Sequence, residues 1–254
     1  MQIILASAKI MNDRVKSIPD ISLSTPRFQN EAEGFARDMV QYSAESIAEM
    51  LGCSQQIAAQ NRLRYMRFFD DAAKLPAILA YHGQAYKHLK AETLTVDDLN
   101  VAQEKLWITS FLYGLLRPLD AILPYRMEGH VELPSGEGQN MFAFWKSRLT
   151  DILIDAVKAD DGVLIHLATE EYKHLFDWQR VRTEVRIVQP LFYVRKGSNL
   201  KMQAVWAKTC RGAMTRFIIE NSIDKPEDIC AFSCEGFSYE SKLGEPDYPH
   251  FIKE

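Results

Sequence analysis

The sequence predicts an α+β fold, a single irregular mixed α/β domain over residues 1–254, and three observations carry that expectation. Short buried-strand runs mix with helical segments but lack the regular strand–helix–strand rhythm of a doubly wound fold. No stretch rich in Gly, Ser or Pro separates two domains. The chain is 47% hydrophobic and 25% charged over 254 residues, enough to bury a sizeable core without disulfides.

Gln2–Ala6 is an apolar run of strand length, followed by a turn at Ser7-Ala8-Lys9 and a polar connection with Pro19 and Pro26. Phe28–Leu51 has helical spacing with a weak point at Tyr42-Ser43. Gly52-Cys53-Ser54 breaks the pattern, and Ser54 is placed to N-cap a helix running to about Phe68. Residues 35–70 therefore read as a small helical hairpin subdomain. After Pro76, Ala77–Tyr81 reads as a strand ended by Gly83, and Thr95-Val-Asp-Asp opens a helix whose acidic first turn suits the macrodipole. Trp107–Tyr113, bounded by Gly114, reads as a buried strand. Residues 116–126 are loop-like around Pro118 and Pro124, and Pro134–Gln139 has the composition of an exposed turn. Phe142–Val157 is helical, Val163–Ala168 a strand and Thr169–Leu175 a short capped helix. Glu184–Arg195 and Leu200–Ala207 read as a hairpin about Lys196-Gly197-Ser198-Asn199, and Lys208–Ser222 as a helix.

Net charge at first argues against a polyanion partner, since 30 Lys and Arg face 34 Asp and Glu, a balance of −4. The excess is local. Residues 224–254 hold eight acidic and three basic side chains, which leaves residues 1–223 with 27 basic and 26 acidic ones. A basic cleft in the body is compatible with that distribution, and the acidic stretch reads as a tail able to mask it. No segment approaches the roughly 20 apolar residues of a bilayer span. The Met1–Ala6 run, followed by Lys9, is too short for a signal peptide, so a cytoplasmic location without membrane partners is expected. Cys53, Cys210, Cys230 and Cys234 read as reduced, small hydrophobes. Neither they nor the six histidines have ligand spacing, so no metal or cofactor is expected.

Ala207–Asn221 is the most informative segment. At 3.6 residues per turn, Lys208, Arg211 and Arg216 share one arc, and Ala213, Met214, Phe217 and Ile218 lie opposite. Gly212 falls in the basic arc, where a missing side chain would let a ligand approach. A solvated charged face predicts nearly the same pattern, and the two readings weigh about equally. Arg117 and Arg126 sit on proline-stiffened loops, as binding residues do, with Asp120 and Glu128 near enough for surface salt bridges instead. The turn Leu51-Gly52-Cys53-Ser54, with Arg62, Arg64 and Arg67 beyond it, can offer backbone N–H groups to a phosphate. A plain αα-hairpin has the same form and is the commoner outcome. Lys9 and Glu171 follow candidate strands at their carboxyl ends, where clefts form. Lys9, Arg126, Glu171, Lys208 and Arg211 can thus converge on one charged pocket, with Glu171 its candidate acid or base. No nucleophile–base pair, P-loop or GxSxG motif names a reaction.

Several segments together resemble one family, in the same order along nearly the whole chain. They are Leu112-Tyr-Gly-Leu-Leu-Arg-Pro-Leu-Asp120 with Pro124-Tyr-Arg126, Phe144-Trp145, Leu167-Ala-Thr-Glu-Glu-Tyr172, and the Ala207–Asn221 block. The family is that of the peroxide stress resistance protein YaaA. The resemblance implies a cytoplasmic protein of the hydrogen peroxide response that limits unincorporated iron. It also implies an α+β family fold with a helix-hairpin-helix element and a positively charged cleft, associated with double-stranded and branched DNA. The family's basic positions fall on Lys9, Arg117, Arg126, Lys208, Arg211 and Arg216, and its hairpin on Leu51, Gly52, Cys53 and Ser54. No catalytic residue is implied. Two segments depart from the family pattern. The Ser-Pro-Ala-Lys that closes the first strand is Ala6-Ser7-Ala8-Lys9, and the Phe-Lys-Gly-Asp-Val-Tyr box is Tyr81-His82-Gly83-Gln84-Ala85-Tyr86, without the lysine and aspartate. The expected function is DNA binding through cleft phosphate contacts without base specificity. The alternative is an enzyme acting on a nucleotide or damaged base in the same cleft, with Glu171 as acid or base. Direct iron handling ranks third, because no His/carboxylate cluster has ligand spacing.

Overall fold

The first strand, β1 (Gln2–Ala6), is buried along nearly its whole length, as a central strand covered on both faces must be. The computed structural model describes residues 1–15, 21–70 and 74–254, so Pro19 of the polar connection lies outside the described residues. Three helices follow, α1 (Gln29–Val40), α2 (Ala44–Leu51) and α3 (Gln55–Met66). The weak point at Tyr42-Ser43 is a break between two of them, where Ser43 caps α2 by accepting from Ser46 N–H. Gly52 closes α2 at φ 53°, and Ser54 caps α3 by accepting from Ile57 N–H. Residues 44–66 are thus an αα-hairpin.

The next segment departs from expectation. Ala77–Tyr81 is not a strand but α4 (Ala77–Ala80), entered from the two-residue β2 (Leu75–Pro76). All four residues of α4 are buried, and a short apolar run carries no period that separates helix from strand. After α5 (Gln84–Leu89), α6 (Val96–Lys105) begins at Thr95, whose capping box with Asp98 is formed. The Trp107–Tyr113 run also divides. β3 (Leu106–Ser110) ends where Ser110 Oγ accepts from the N–H groups of Leu112 and Tyr113, and the chain turns back into β4 (Gly114–Leu116). Gly114 has φ 70°, and a Cβ there would strike the Trp145 ring. The loop-like 116–126 region includes the short β5 (Ala121–Ile122), paired with β2.

α7 (Met141–Ala159) is capped by Asn140 and leads to β6 (Val163–Leu167), α8 (Glu170–Lys173) and α9 (Trp178–Glu184). The expected 184–207 hairpin is shorter and split. β7 (Arg186–Val188) joins the sheet of β1, and only β8 (Leu191–Lys196) and β9 (Asn199–Lys201) form the hairpin. α10 (Ala204–Glu220) starts four residues before Lys208. β10 (Ser233–Cys234), β11 (Phe237–Glu245) and β12 (Tyr248–Lys253) complete the chain.

The first sheet has the order β4-β3-β1-β6-β7 and is parallel except for β3–β4. The second has the order β10-β11-β12-β8-β9. Residues 224–254 are therefore not a loose acidic tail. β12 is the middle strand of the second sheet, Phe237 and Phe251 are buried, and Asp247 and Glu254 pair with Arg186 and Arg195. No described helix is long and apolar enough to cross a membrane.

Two contacts fix what lies around β1. At its start, the Met1 ammonium lies 3.2 Å from Asp160 and 3.1 Å from Asp161, and Asp160 also accepts from Gln2 and Lys105. Burial alone would raise the Asp160 carboxyl, but hydrogen bonds from Lys105, Gln2 and the ammonium hold it at about 2, against an ordinary 3.8. On the other side, α10 crosses α5 at Gly212, where a Cβ would sit 1.8 Å from the Ala85 carbonyl oxygen. Gly212 admits the backbone of α5 rather than a ligand, which corrects the expectation above.

Two outcomes are expected. Gly→Ala in a helix interior usually stabilises by about 1 kcal/mol, but Gly212→Ala should instead lower stability by roughly 1–3 kcal/mol through overpacking, read by urea unfolding. A carboxyl with a depressed folded-state pKa contributes stability above its unfolded value and loses it as pH falls through the folded one. Stability should therefore drop between about pH 4 and pH 2, and Asp160→Asn should shrink that drop in an acid titration followed by circular dichroism.

Candidate anion-binding site

β1 and β6 are parallel neighbours whose onward connections diverge, β1 leading toward β3 and β6 toward β7 on the opposite side. In a mainly parallel open sheet such a divergence leaves a crevice beyond the strands' carboxyl ends. A cavity of about 550 Å³ lies there. Its walls are the loop after β1 (Ser7–Ile10), the start of α5 (Gly83–Tyr86), the β6–α8 connection with its first residues (Thr169–Tyr172), and the face of α10 that carries Lys208 and Arg211. Residues three apart share a helix face, so both cations point the same way. The departing Tyr81–Tyr86 box supplies a wall here through its last four residues.

Arg211 is half-buried, and its guanidinium has no hydrogen-bond or ion-pair partner among the described residues. Burial pulls its pKa down, opposed by the charge of Glu170. Glu170 is itself engaged, 2.8 Å from Lys173 and accepting from Gln189, and these bonds outweigh its burial to lower its pKa. Lys208 is exposed at the cavity edge and has no partner among the described residues either. Glu171 is exposed on the rim.

Lys9 and Arg126 meet through one buried carboxylate. Lys9 Nζ donates to Glu128 Oε2 at 2.7 Å, while Arg126 donates to Glu128 Oε1 from Nε at 3.1 Å and Nη2 at 3.0 Å. The Glu128 side chain is only 5% exposed, against 56% for Lys9. Glu128 entered above only as a surface salt-bridge partner; its place between apolar Tyr125, Met127 and Val131 was the available signal of burial. Below Lys9, Ser7 Oγ and Tyr172 OH are 2.9 Å apart, and Tyr125 OH lies 2.6 Å from Ser110 Oγ and 2.8 Å from Tyr81 OH. Burial pushes the Tyr125 phenol up to about 12, so this hydroxyl cluster is neutral.

The other expected positions lie elsewhere. Arg117 is at the opposite ends of the strands, stacked 3.3 Å above the Trp107 ring centroid. It donates to the carbonyls of Glu104 and Leu106 and to Gln2 Oε1, at the amino ends of β1 and β3. Arg216 donates to Leu89 O, Lys90 O and Thr93 Oγ1 and pairs with Glu220, which closes the carboxyl end of α5. Five residues turn a helix by roughly 140° beyond a full revolution, so Arg216 leaves the face of Arg211. Of the hairpin, Leu51 is buried, Cys53 half-buried and Gly52 and Ser54 exposed, and none lines the cavity. The expected convergence of six cations thus reduces to Lys9, Lys208 and Arg211, with Arg126 behind Lys9.

A family model described as peroxide stress protein YaaA matches residues 1–243. The chain belongs to the YaaA family. Among its relatives, a UPF0246 protein of Phocaeicola vulgatus is 47% identical over 253 residues, covering 99% of this chain and 98% of the relative. One of Bacteroides thetaiotaomicron is 43% identical over 246 residues, covering 96% and 95%, and one of Porphyromonas gingivalis is 37% identical over 256 residues, covering all of both. Family membership supports a role in the peroxide stress response, and the match includes every residue of the cavity.

The two arginines of α10 should separate by experiment. Arg216→Ala is expected to cost roughly 1–3 kcal/mol of stability by leaving the α5 carbonyls unpaired. Arg211→Ala, which breaks no hydrogen bond among the described residues, should cost less, as read by equilibrium unfolding of the two variants.

Proposed function

We propose that this YaaA-family protein acts in the peroxide stress response by holding the phosphate backbone of double-stranded or branched DNA at the mouth of the cavity, with Lys9, Lys208 and Arg211 as contacts. The observation that carries this is the unpartnered, half-buried guanidinium of Arg211. Guanidinium donors withdrawn from water without an acceptor are costly, and a phosphate oxygen supplies the missing charge-assisted hydrogen bonds. Lys208 adds a second uncompensated charge on the same face, and Lys9 is held toward the opening by Glu128. Contacts of this kind position a duplex without reading its bases. The overall balance of −4 does not oppose the proposal, because Glu227 and Asp247 of the 224–254 segment pair with Arg186 and Glu254 pairs with Arg195, away from the cavity. In the same proposal the exposed turn at Gly52–Ser54 is a further backbone contact, and the limitation of unincorporated iron is a downstream effect of the binding.

Affinity for duplex DNA should fall steeply with salt. In the Lys208→Ala/Arg211→Ala double variant the slope of log affinity against log salt should be shallower by about 2, the equivalent of two lost phosphate contacts. A fluorescence-anisotropy salt series measures this, and an unchanged slope would remove the cavity from the binding surface.

A further inference from the structure

We infer that the same cavity is a site for a free nucleoside 5′-monophosphate, its phosphate held by Lys208 and Arg211 and its base laid against the apolar wall. The inference shares two residues with the DNA proposal but does not depend on it, since the ligand here is a small molecule enclosed by the cavity rather than a polymer lying across its mouth.

Position is the first support. The cavity occupies the point where the connections of β1 and β6 diverge, the place where mainly parallel sheets hold nucleotides. Volume is the second. About 550 Å³ falls in the range of pockets that enclose small ligands, whereas a contact to a duplex backbone needs only surface.

Charge decides the chemical class. Lys9 shares the single charge of Glu128 with Arg126, and Glu170 is paired with Lys173. Lys208 and Arg211 remain, two positive charges on one helix face without partners among the described residues. A phosphate monoester carries about −1.5 to −2 at pH 7 and offers three acceptor oxygens, while each backbone diester carries a single charge. Two cations on one small volume therefore match a terminal phosphate better than an internal one.

The remaining surface suits a nucleoside. Leu5, Ala8, Leu167 and Tyr86, whose hydroxyl donates to the Ala6 carbonyl, give the cavity its apolar lining. Glu171, exposed on the rim and without a partner among the described residues, is an acceptor for ribose hydroxyls or an exocyclic amine. A carboxylate at the ribose is a recurrent feature of nucleotide crevices.

Isothermal titration calorimetry of the full chain tests this with adenosine and uridine 5′-monophosphates, the two nucleosides, and inorganic phosphate. At least one monophosphate should bind one to one, at least tenfold more tightly than its nucleoside and than phosphate. Arg211→Met should weaken it tenfold or more. Lys208→Ala, at an exposed position that the fold does not use, should weaken it as well, while Lys196→Ala at the exposed end of β8 should not. Binding of neither monophosphate, equal binding of nucleoside or phosphate, or affinity unmoved by both Arg211→Met and Lys208→Ala would overturn the inference. Absent monophosphate binding, combined with DNA binding whose salt slope still depends on Lys208 and Arg211, would overturn the inference and leave the DNA proposal standing. The opposite pair of results would do the reverse.

Discussion

The approach of α10 to α5 at Gly212 is the constraint on which the site depends. With the Ala85 carbonyl occupying the space a Cβ would need, α10 lies close enough to α5 for its next-door residues, Lys208 and Arg211, to reach the carboxyl ends of β1 and β6. The remaining walls are set by equally short contacts. Gly83 lets the start of α5 meet Ala8, where a Cβ would come within 2.7 Å of the Ala8 Cβ, and His82 N–H donates to the Ile10 carbonyl at 2.8 Å. Backbone-to-backbone packing of this kind leaves little room for adjustment. The backbone around the cavity is consequently fixed by the fold, and the Lys9, Glu171, Lys208 and Arg211 side chains complete its lining.

Local pairing, rather than net charge, determines which cations are available. Arg117, Arg211 and Arg216 are chemically identical, yet two of them end on backbone carbonyls that would otherwise be left bare at strand and helix termini. Such bonds make Arg117 and Arg216 part of the scaffold. Burial pulls the Arg117 pKa down to about 10, which still leaves it charged at neutral pH. Arg211 is withdrawn from water in the same way but meets no acceptor among the described residues, so only its environment calls for an anion. Glu128 performs a different task. Its single negative charge is shared between Arg126 and Lys9, which leaves the three groups with one net positive charge and ties the Lys9 ammonium to the cavity lining.

Much of this was legible in the residues because it depends on short-range chemistry. The caps at Ser54 and Thr95, the buried runs of β1 and β6, the strand-end positions of Lys9 and Glu171, and the shared face of Lys208 and Arg211 all follow from spacings of a few residues. Illegible features depend on distant partners or on uniform apolarity. Ala77–Ala80 is apolar throughout and shows no period, so its helix is set by packing, while the turn within Trp107–Tyr113 is set by the Ser110 hydroxyl accepting from two backbone N–H groups inside an otherwise strand-like run. The destination of Arg117 required knowing that Gln2 and Leu106 lie alongside, more than a hundred positions away in one case. The acidic stretch misled for a related reason. Its charges occupy exposed positions on and between strands whose buried partners, Phe237 and Phe251, are few and widely spaced.

Arginine side-chain NMR offers the most direct test that Arg211 binds an anion. In a ¹⁵N-labelled protein titrated with inorganic phosphate, the Arg211 Nε–H resonance should shift saturably and its exchange with water should slow, while the resonances of Arg117 and Arg216, already bonded to carbonyls, stay where they are. Movement of exposed arginines alone, with Arg211 silent up to saturating phosphate, would contradict the account.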